Sequence, residues 1–282
     1  MKKFIKGSFI AAGLLILMGI VLLIMCASVG GAGILKEAIE NNEFCFGYSG
    51  FDEDHIYFNQ DFDWEDDQYP KYTGTQKNIT IGDGKGIKNV RMDIKAAALE
   101  VNESADDQIR LDYDVKGKLS CYIEDDTLIL KGEKYSDNHN DKISLYLPKE
   151  IHLDDVEIKL GAGKITINSI RTGKLSAEVG AGSLSIQNAD IEHVDLNAGV
   201  GKIDFMGSIS GDIDAKCGVG DIDMQINGDK EYWNYDVECA AGKVIIGEDE
   251  YENLVRNVDI NYEADNNCDI ACAIGKVELS FY

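Results

Sequence analysis

The chain has 282 residues, and its 51 acidic against 27 basic side chains give a formal charge of −24. Nucleic-acid binding needs a basic face that displaces counterions from phosphates, and with no basic run to build one, nucleic acid is excluded as a partner. Two prolines against 29 glycines point to a chain that turns repeatedly at glycine.

Residues 1–6 carry Lys2, Lys3 and Lys6, and residues 7–35 hold no charged side chain. At about 1.5 Å per residue some 20 residues cross the hydrocarbon core of a bilayer, so 7–35 reads as a transmembrane signal anchor. Lysines before it and mainly acidic residues after it (Glu37, Glu40, Glu43) place the N-terminus in the cytoplasm and the bulk of the chain outside. Ala27-Ser28-Val29 is a poor signal-peptidase site, and Met25 ahead of Cys26 does not fit a lipoprotein. Residues 36–80 read as an acidic, aromatic juxtamembrane stalk. Its Asp61-x-Asp63-x-Glu65 lacks the glycine and glutamate of a calcium loop, so no metal is assigned.

A single all-β domain is expected over 81–282, with irregular capping coils at 81–155, regular coils at 156–226 and looser coils at 227–282. In the first part, Met92 to Val101 aligns with Ile158 to Ile167, and short strands read at Ile109–Val115, Leu119–Ile123, Thr127–Leu130 and Ile143–Leu147. From Val156 four segments align without gaps at a period of 19 residues, from Gly161 to Gly180, Gly199 and Gly218, and two looser copies start at Tyr235 and Cys268. Apolar residues alternate on both sides of each glycine corner, which is the pattern of strand–turn–strand units stacked as a β-solenoid. One inward column reads Leu160, Val179, Ala198, Cys217, Cys239 and Cys272, where thiols serve as small apolar fillers and stay reduced.

The third corner position is glycine in every one of these copies: Gly163, Gly182, Gly201, Gly220, Gly242 and Gly275. These are structural corner residues that need either positive φ or the absence of a Cβ between stacked coils. A nucleotide-binding reading of Gly-x-Gly fails because no helix follows the turn. The four histidines are scattered, and no catalytic, metal or cofactor site is assigned. Two features are left for function. Asp204 and Asp223 stack on an outer face, and Tyr232 and Trp233 form a candidate partner-binding patch on the turn 227–234, which interrupts the period.

Ile143 to Pro148, followed by Val156 to Ile167 with its Gly-Ala-Gly corner, resembles the DUF4097 family over roughly residues 75–282. The resemblance implies an adhesin-like, all-β bacterial envelope protein with repeats of about twenty residues and a recurring Gly-Asp motif. Gly220-Asp221 keeps that dipeptide, whereas Lys164, Ser183, Lys202, Lys243 and Lys276 replace the aspartate. The function expected is a non-catalytic, membrane-anchored module that engages an envelope polymer or a membrane protein at the cell membrane. The alternatives are an accessory of a bacterial envelope-stress or membrane regulatory system and a carbohydrate-active β-helix enzyme.

Overall fold

The computed structural model describes residues 69–132, 141–252 and 257–282. The expected membrane segment, all but the end of the stalk, His55 and His139 lie outside the described residues. Among the described residues no helix is long and apolar enough to cross a membrane. Residues 61–282 form one compact unit. Its buried core among the described residues runs from Ile87 to Leu279 as a single cluster, so the unit folds on a core of its own.

The chain is all-β. Before the first repeat come β1 (Tyr72–Asp83), β2 (Asn89–Ile94), β3 (Ala98–Ser104), β4 (Gln108–Glu124), β5 (Thr127–Gly132) and β6 (Lys142–Pro148). The repeats supply β7 (Leu153–Leu160), β8 (Lys164–Ile167), β9 (Ile170–Val179), β10 (Ser183–Ala198), β11 (Lys202–Ile209), β12 (Ile213–Cys217) and β13 (Asp221–Ile226). A 3-10 turn at Lys230–Tyr232 leads to β14 (Trp233–Cys239), β15 (Lys243–Ile246), β16 (Asp249–Glu252), β17 (Val258–Ile260), β18 (Asn266–Cys272) and β19 (Lys276–Phe281).

Two parallel ladders flank the glycine corner. Ahead of it the spatial order is β5, β2, β7, β9, β10, β12, β18, β14. After it the order is β6, β3, β8, β10, β11, β13, β19, β15. The register follows the 19-residue period: Val156 meets Leu175, Leu175 meets Val194, and Val194 meets Ile213. As the alignment requires, Met92 meets Ile158 and Leu99 meets Ile165. The inward column Leu160, Val179, Ala198, Cys217, Cys272 and Cys239 is buried throughout, as is the leading column Val156, Leu175, Val194, Ile213, Cys268 and Tyr235. Each fully buried branched side chain contributes about 1.5–3 kcal/mol before the entropy of ordering the chain is charged against it.

The order at both ends departs from a simple sequential stack. The last coil, β18–β19, lies between β12–β13 and β14–β15 instead of following them. Correspondingly, the first coil, β2–β3, is internal, and the later pair β5–β6 lies outside it. Antiparallel strands cover the outermost coils: β4 pairs with β5 and β6 and is itself covered by β1, while β17 and β16 pair with β14 and β15. β1 and β4 belong to the early segment expected to cap the stack. β1, however, extends into residues assigned to the stalk, because a largely polar strand on an exposed edge carries no alternating signal. The expected strands 109–115 and 119–123 are one continuous strand, β4.

The corner glycines settle the two alternatives raised by the sequence. None of the six has positive φ. A Cβ built on Gly182 would stand 2.7 Å from the carbonyl oxygen of Gly163, and one on Gly201 2.5 Å from that of Gly182. At Gly163, Gly220 and Gly275 the carbonyl of the neighbouring coil is closer still, and at Gly242 the Gly275 carbonyl and Cys272 Sγ crowd the same space. The requirement is absence of a side chain. The first corner position varies more from copy to copy, from 2.6 Å at Gly161 and 2.8 Å at Gly218 to 3.0 Å at Gly180 and 3.1 Å at Gly199, and alanine stands there at Ala240 and Ala273. Gly201→Ala is therefore expected to cost about 2–4 kcal/mol by forcing the coils apart, and Gly199→Ala less than about 1 kcal/mol. Urea unfolding of residues 61–282 measures the difference.

Candidate functional site

Alternation that sends every second residue into the core sends the others outward, and in-register stacking collects them into rows about 4.8 Å apart. Two acidic rows result. The row after the corner reads Thr166, Ser185, Asp204, Asp223, Glu278 and Ile245 in spatial order. Asp204 and Asp223 are neighbours as expected, but lysines answer this row: Lys202 lies 2.6 Å from Asp204, and Lys276 lies 2.5 Å from Glu278.

The row before the corner is more acidic: Glu157, Ser176, Asp195, Asp214, Asp269 and Asp236. Asp236 also faces Asp259 across the antiparallel pair with β17. At one end Glu157 meets Arg91 at 2.9 Å. At the centre Lys216 bonds Asp214 at 2.7 Å, while the second carboxylate oxygen of Asp214 is buried without a hydrogen-bond partner. Burial, then the Asp214 carboxylate, raises the pKa of Asp195. Burial, then Asp214 and Asp236, raises that of Asp269, and burial followed by Asp259 raises that of Asp236. Burial works against the Lys216 ammonium, but its bond to Asp214 and the fields of Asp195 and Asp269 outweigh it and hold the pKa up. Sequence reasoning passed over this row, although its signal is present one residue after each leading inward position.

The aromatic turn divides. Tyr232 is 59% exposed, as a contact residue requires. Trp233 is 1% exposed, and its indole N–H donates to the Gly211 carbonyl at 2.7 Å, so it belongs to the core and not to a surface patch. The reason is local: Trp233 starts β14, whose inward set is Trp233, Tyr235, Val237 and Cys239. A second exposed feature lies on the corner, where the middle residues Val200, Val219 and Ile274 are 62%, 48% and 62% exposed.

The remaining candidates are structural. His193 is a surface residue whose Nδ1 accepts from the backbone N–H of Asp212 at 3.1 Å. Cys217 meets Cys272 in register, and Cys272 meets Cys239. None of the described cysteines is in a disulfide. The Cys272 thiol beside Cys217, and then burial, push the Cys217 thiol up. Among the described residues, no group of three or more His, Cys, Asp and Glu side chains is arranged to hold a metal ion.

The architecture defines an all-β protein of stacked strand–corner–strand coils with charged outer rows. The chain belongs to the Toastrack DUF4097 family, whose model matches residues 76–225. No curated protein sequence matches it. Among solved structures it is similar to a "putative cell adhesion protein" from Clostridium sporogenes, at 12% identity and a TM-score of 0.43, covering 74% of this chain and 100% of that one. It is also similar to a "putative adhesin" from Bacteroides fragilis, at 14% identity and a TM-score of 0.36, covering 74% and 97%. A "putative adhesin" from Parabacteroides merdae shares 15% identity at a TM-score of 0.31, covering 73% and 95%.

The raised carboxylates make a pH prediction. A folded-state pKa above the unfolded value means that the folded protein binds more protons, so this contribution is present below the ordinary aspartate range near 3.9 and is lost as pH rises through the raised values. Asp269→Asn removes one charge from the centre of the row. It is expected to stabilise the domain at pH 7 by about 0.5 kcal/mol, as for other directly opposed like charges, and to flatten stability between pH 4 and 7. Lys216→Met is expected to destabilise at pH 7. Urea midpoints across that pH range check both variants.

Proposed function

We propose that residues 69–282 act as a non-catalytic β-solenoid binding module, held on the outer side of the cytoplasmic membrane by the apolar segment 7–35. Its partner is an extended envelope polymer or a membrane protein that presents cationic groups. The observation that carries this reading is the row Asp195–Asp214–Asp269–Asp236, with Asp259 beside it and one lysine, Lys216, bonded within it. Rigid strands hold like charges at a fixed repeat, and a cationic partner relieves their repulsion on contact. Tyr232, exposed on the neighbouring turn, adds an aromatic contact of the kind common at interfaces. A non-catalytic role is supported by the carboxylates themselves, which are spread along rows and answered in part by Lys202, Lys216 and Lys276 instead of converging on one reacting centre.

Membrane topology and binding are tested separately. In intact bacteria expressing the full chain with a tag after Tyr282, a membrane-impermeant reagent is expected to label the tag. Protection of the tag until the cells are lysed rules out the orientation. Fluorescent residues 61–282 are expected to bind isolated envelopes, with affinity falling about tenfold in the triple variant Asp195→Asn/Asp269→Asn/Asp236→Asn, or about 1.4 kcal/mol. Undiminished binding by that variant rejects the acidic row as the contact surface.

A further inference from the structure

The stacking order near the C-terminus carries a consequence for self-association. Between Ile213 and Tyr235 the repeat steps by 22 residues instead of 19, and the extra length lies in the turn 227–232. That turn climbs two coil spacings, about 9.6 Å, from β13 to β14, because β18–β19 occupies the layer between. The slot is bonded on both edges: Ala215 meets Ile270, which meets Val237, and Ile222 meets Val277, which meets Val244. Its occupant, Asn266–Phe281, is joined to β15 through residues 247–265.

We propose that the C-terminal coil Asn266–Phe281 is an exchangeable insert, and that the slot between β12–β13 and β14–β15 accepts the same segment from a second copy of this chain. The two coils competing for the layer above β12–β13 are near-equivalents. Tyr235 and Cys268, Val237 and Ile270, Cys239 and Cys272, and Gly242 and Gly275 hold matching places. When the insert is out, β14–β15 presents the same alternation and the same corner glycine to β12–β13, so the open state does not leave a bare apolar gap. Refilling the slot from a partner restores every ladder bond with no new interface to design, which is the condition for domain exchange.

Contacts at the slot entrance form around either copy's insert, whereas contacts on the approach tie a chain to its own. The Trp233 indole reaches past the inserted layer to the Gly211 carbonyl, and Asn266 Nδ2 donates to the Ser210 carbonyl at 3.2 Å. The Asn234 side chain organises the approach. Its Oδ1 accepts from the backbone N–H groups of Tyr262 and Ala264 at 3.0 and 3.2 Å, and its Nδ2 donates to the Ala264 carbonyl at 2.8 Å. Glu263, in the same approach, has φ of 59°, which places strain in the segment that straightens on exchange.

The test uses residues 61–282 in isotopically light and heavy forms, unfolded together in guanidinium and refolded at ~1 µM and at about 500 µM, with native mass spectrometry as the readout. Monomers are expected at the lower concentration. At the higher one, dimers appear, about half of them isotopically mixed, and they persist for hours after dilution because release requires unfolding. Folded light and heavy monomers mixed without denaturant form no mixed dimers in that time. Asn234→Ala, which removes the bonds to Tyr262 and Ala264 that hold the approach in its own chain, raises the mixed fraction about threefold at intermediate concentration. Monomers alone at both concentrations overturn the proposal. So do dimers that fall apart at once on dilution, or equal dimerisation by a chain ending at residue 265.

Discussion

The closest constraint in this molecule is the approach of one corner to the next at the hydrogen-bonding distance of neighbouring strands. Each turn N–H reaches the carbonyl of the coil below: Ala181 bonds Gly161, Val200 bonds Gly180, and Val219 bonds Gly199, at 2.7–2.8 Å. The bonds leave no volume for a Cβ at the third corner position. A side chain there would lift the next coil, lengthen the turn bonds and shift both flanking ladders together. The glycine is thus an interlayer spacer, and its φ angle is incidental.

Perfect register has a cost as well as a benefit. It builds continuous apolar columns, including the three thiols of Cys217, Cys272 and Cys239, but it also stacks identical charges on the outside. The protein offsets this unevenly. After the corner, Lys202 and Lys276 sit two residues from the carboxylates they bond. Before it, Lys216 bonds Asp214 at the centre of a row of four aspartates and Lys174 acts on Asp195 at longer range, leaving one Asp214 oxygen buried without a hydrogen-bond partner. Structural demands place the rows, but they do not require this imbalance, which is why the more acidic row carries the functional reading.

Most of the core was legible in the sequence, because period-two alternation on a 19-residue repeat determines which side chains point inward and which coils match. The identity of neighbours at the ends was not. The segments from Ile213, Tyr235 and Cys268 share one pattern, so any of them can stack on either of the others, and alternation cannot rank the orders. One signal did exist, the three extra residues between Met224 and Ile246, and it reads as a loop insertion until the inserted layer is known. Trp233 was misplaced for a related reason: the irregular turn masked the start of β14, and with it the inward parity of the indole. β1 left no trace because a strand such as Tyr72–Asp83, with mostly exposed residues, has no apolar face to betray it.

The permuted ends also answer the problem that any stack of strands has at its edges. A coil laid on the outside exposes a row of free N–H and C=O groups. Here β18–β19 is bonded on both sides, and β14–β15 forms the outer layer. That layer is in turn covered by the short antiparallel strands β16 and β17, the first of which carries Asp249, Glu250 and Glu252. Charged, short and antiparallel, such edges are poor templates for the parallel stacking that the interior uses. The arrangement that protects the edge therefore makes the last coil the one element that must enter a slot already framed by two others. A sequence of near-identical coils cannot specify whose last coil that is by side-chain pattern alone. The choice rests on the 247–265 connection and on the bonds from Asn234 to Tyr262 and Ala264 within it.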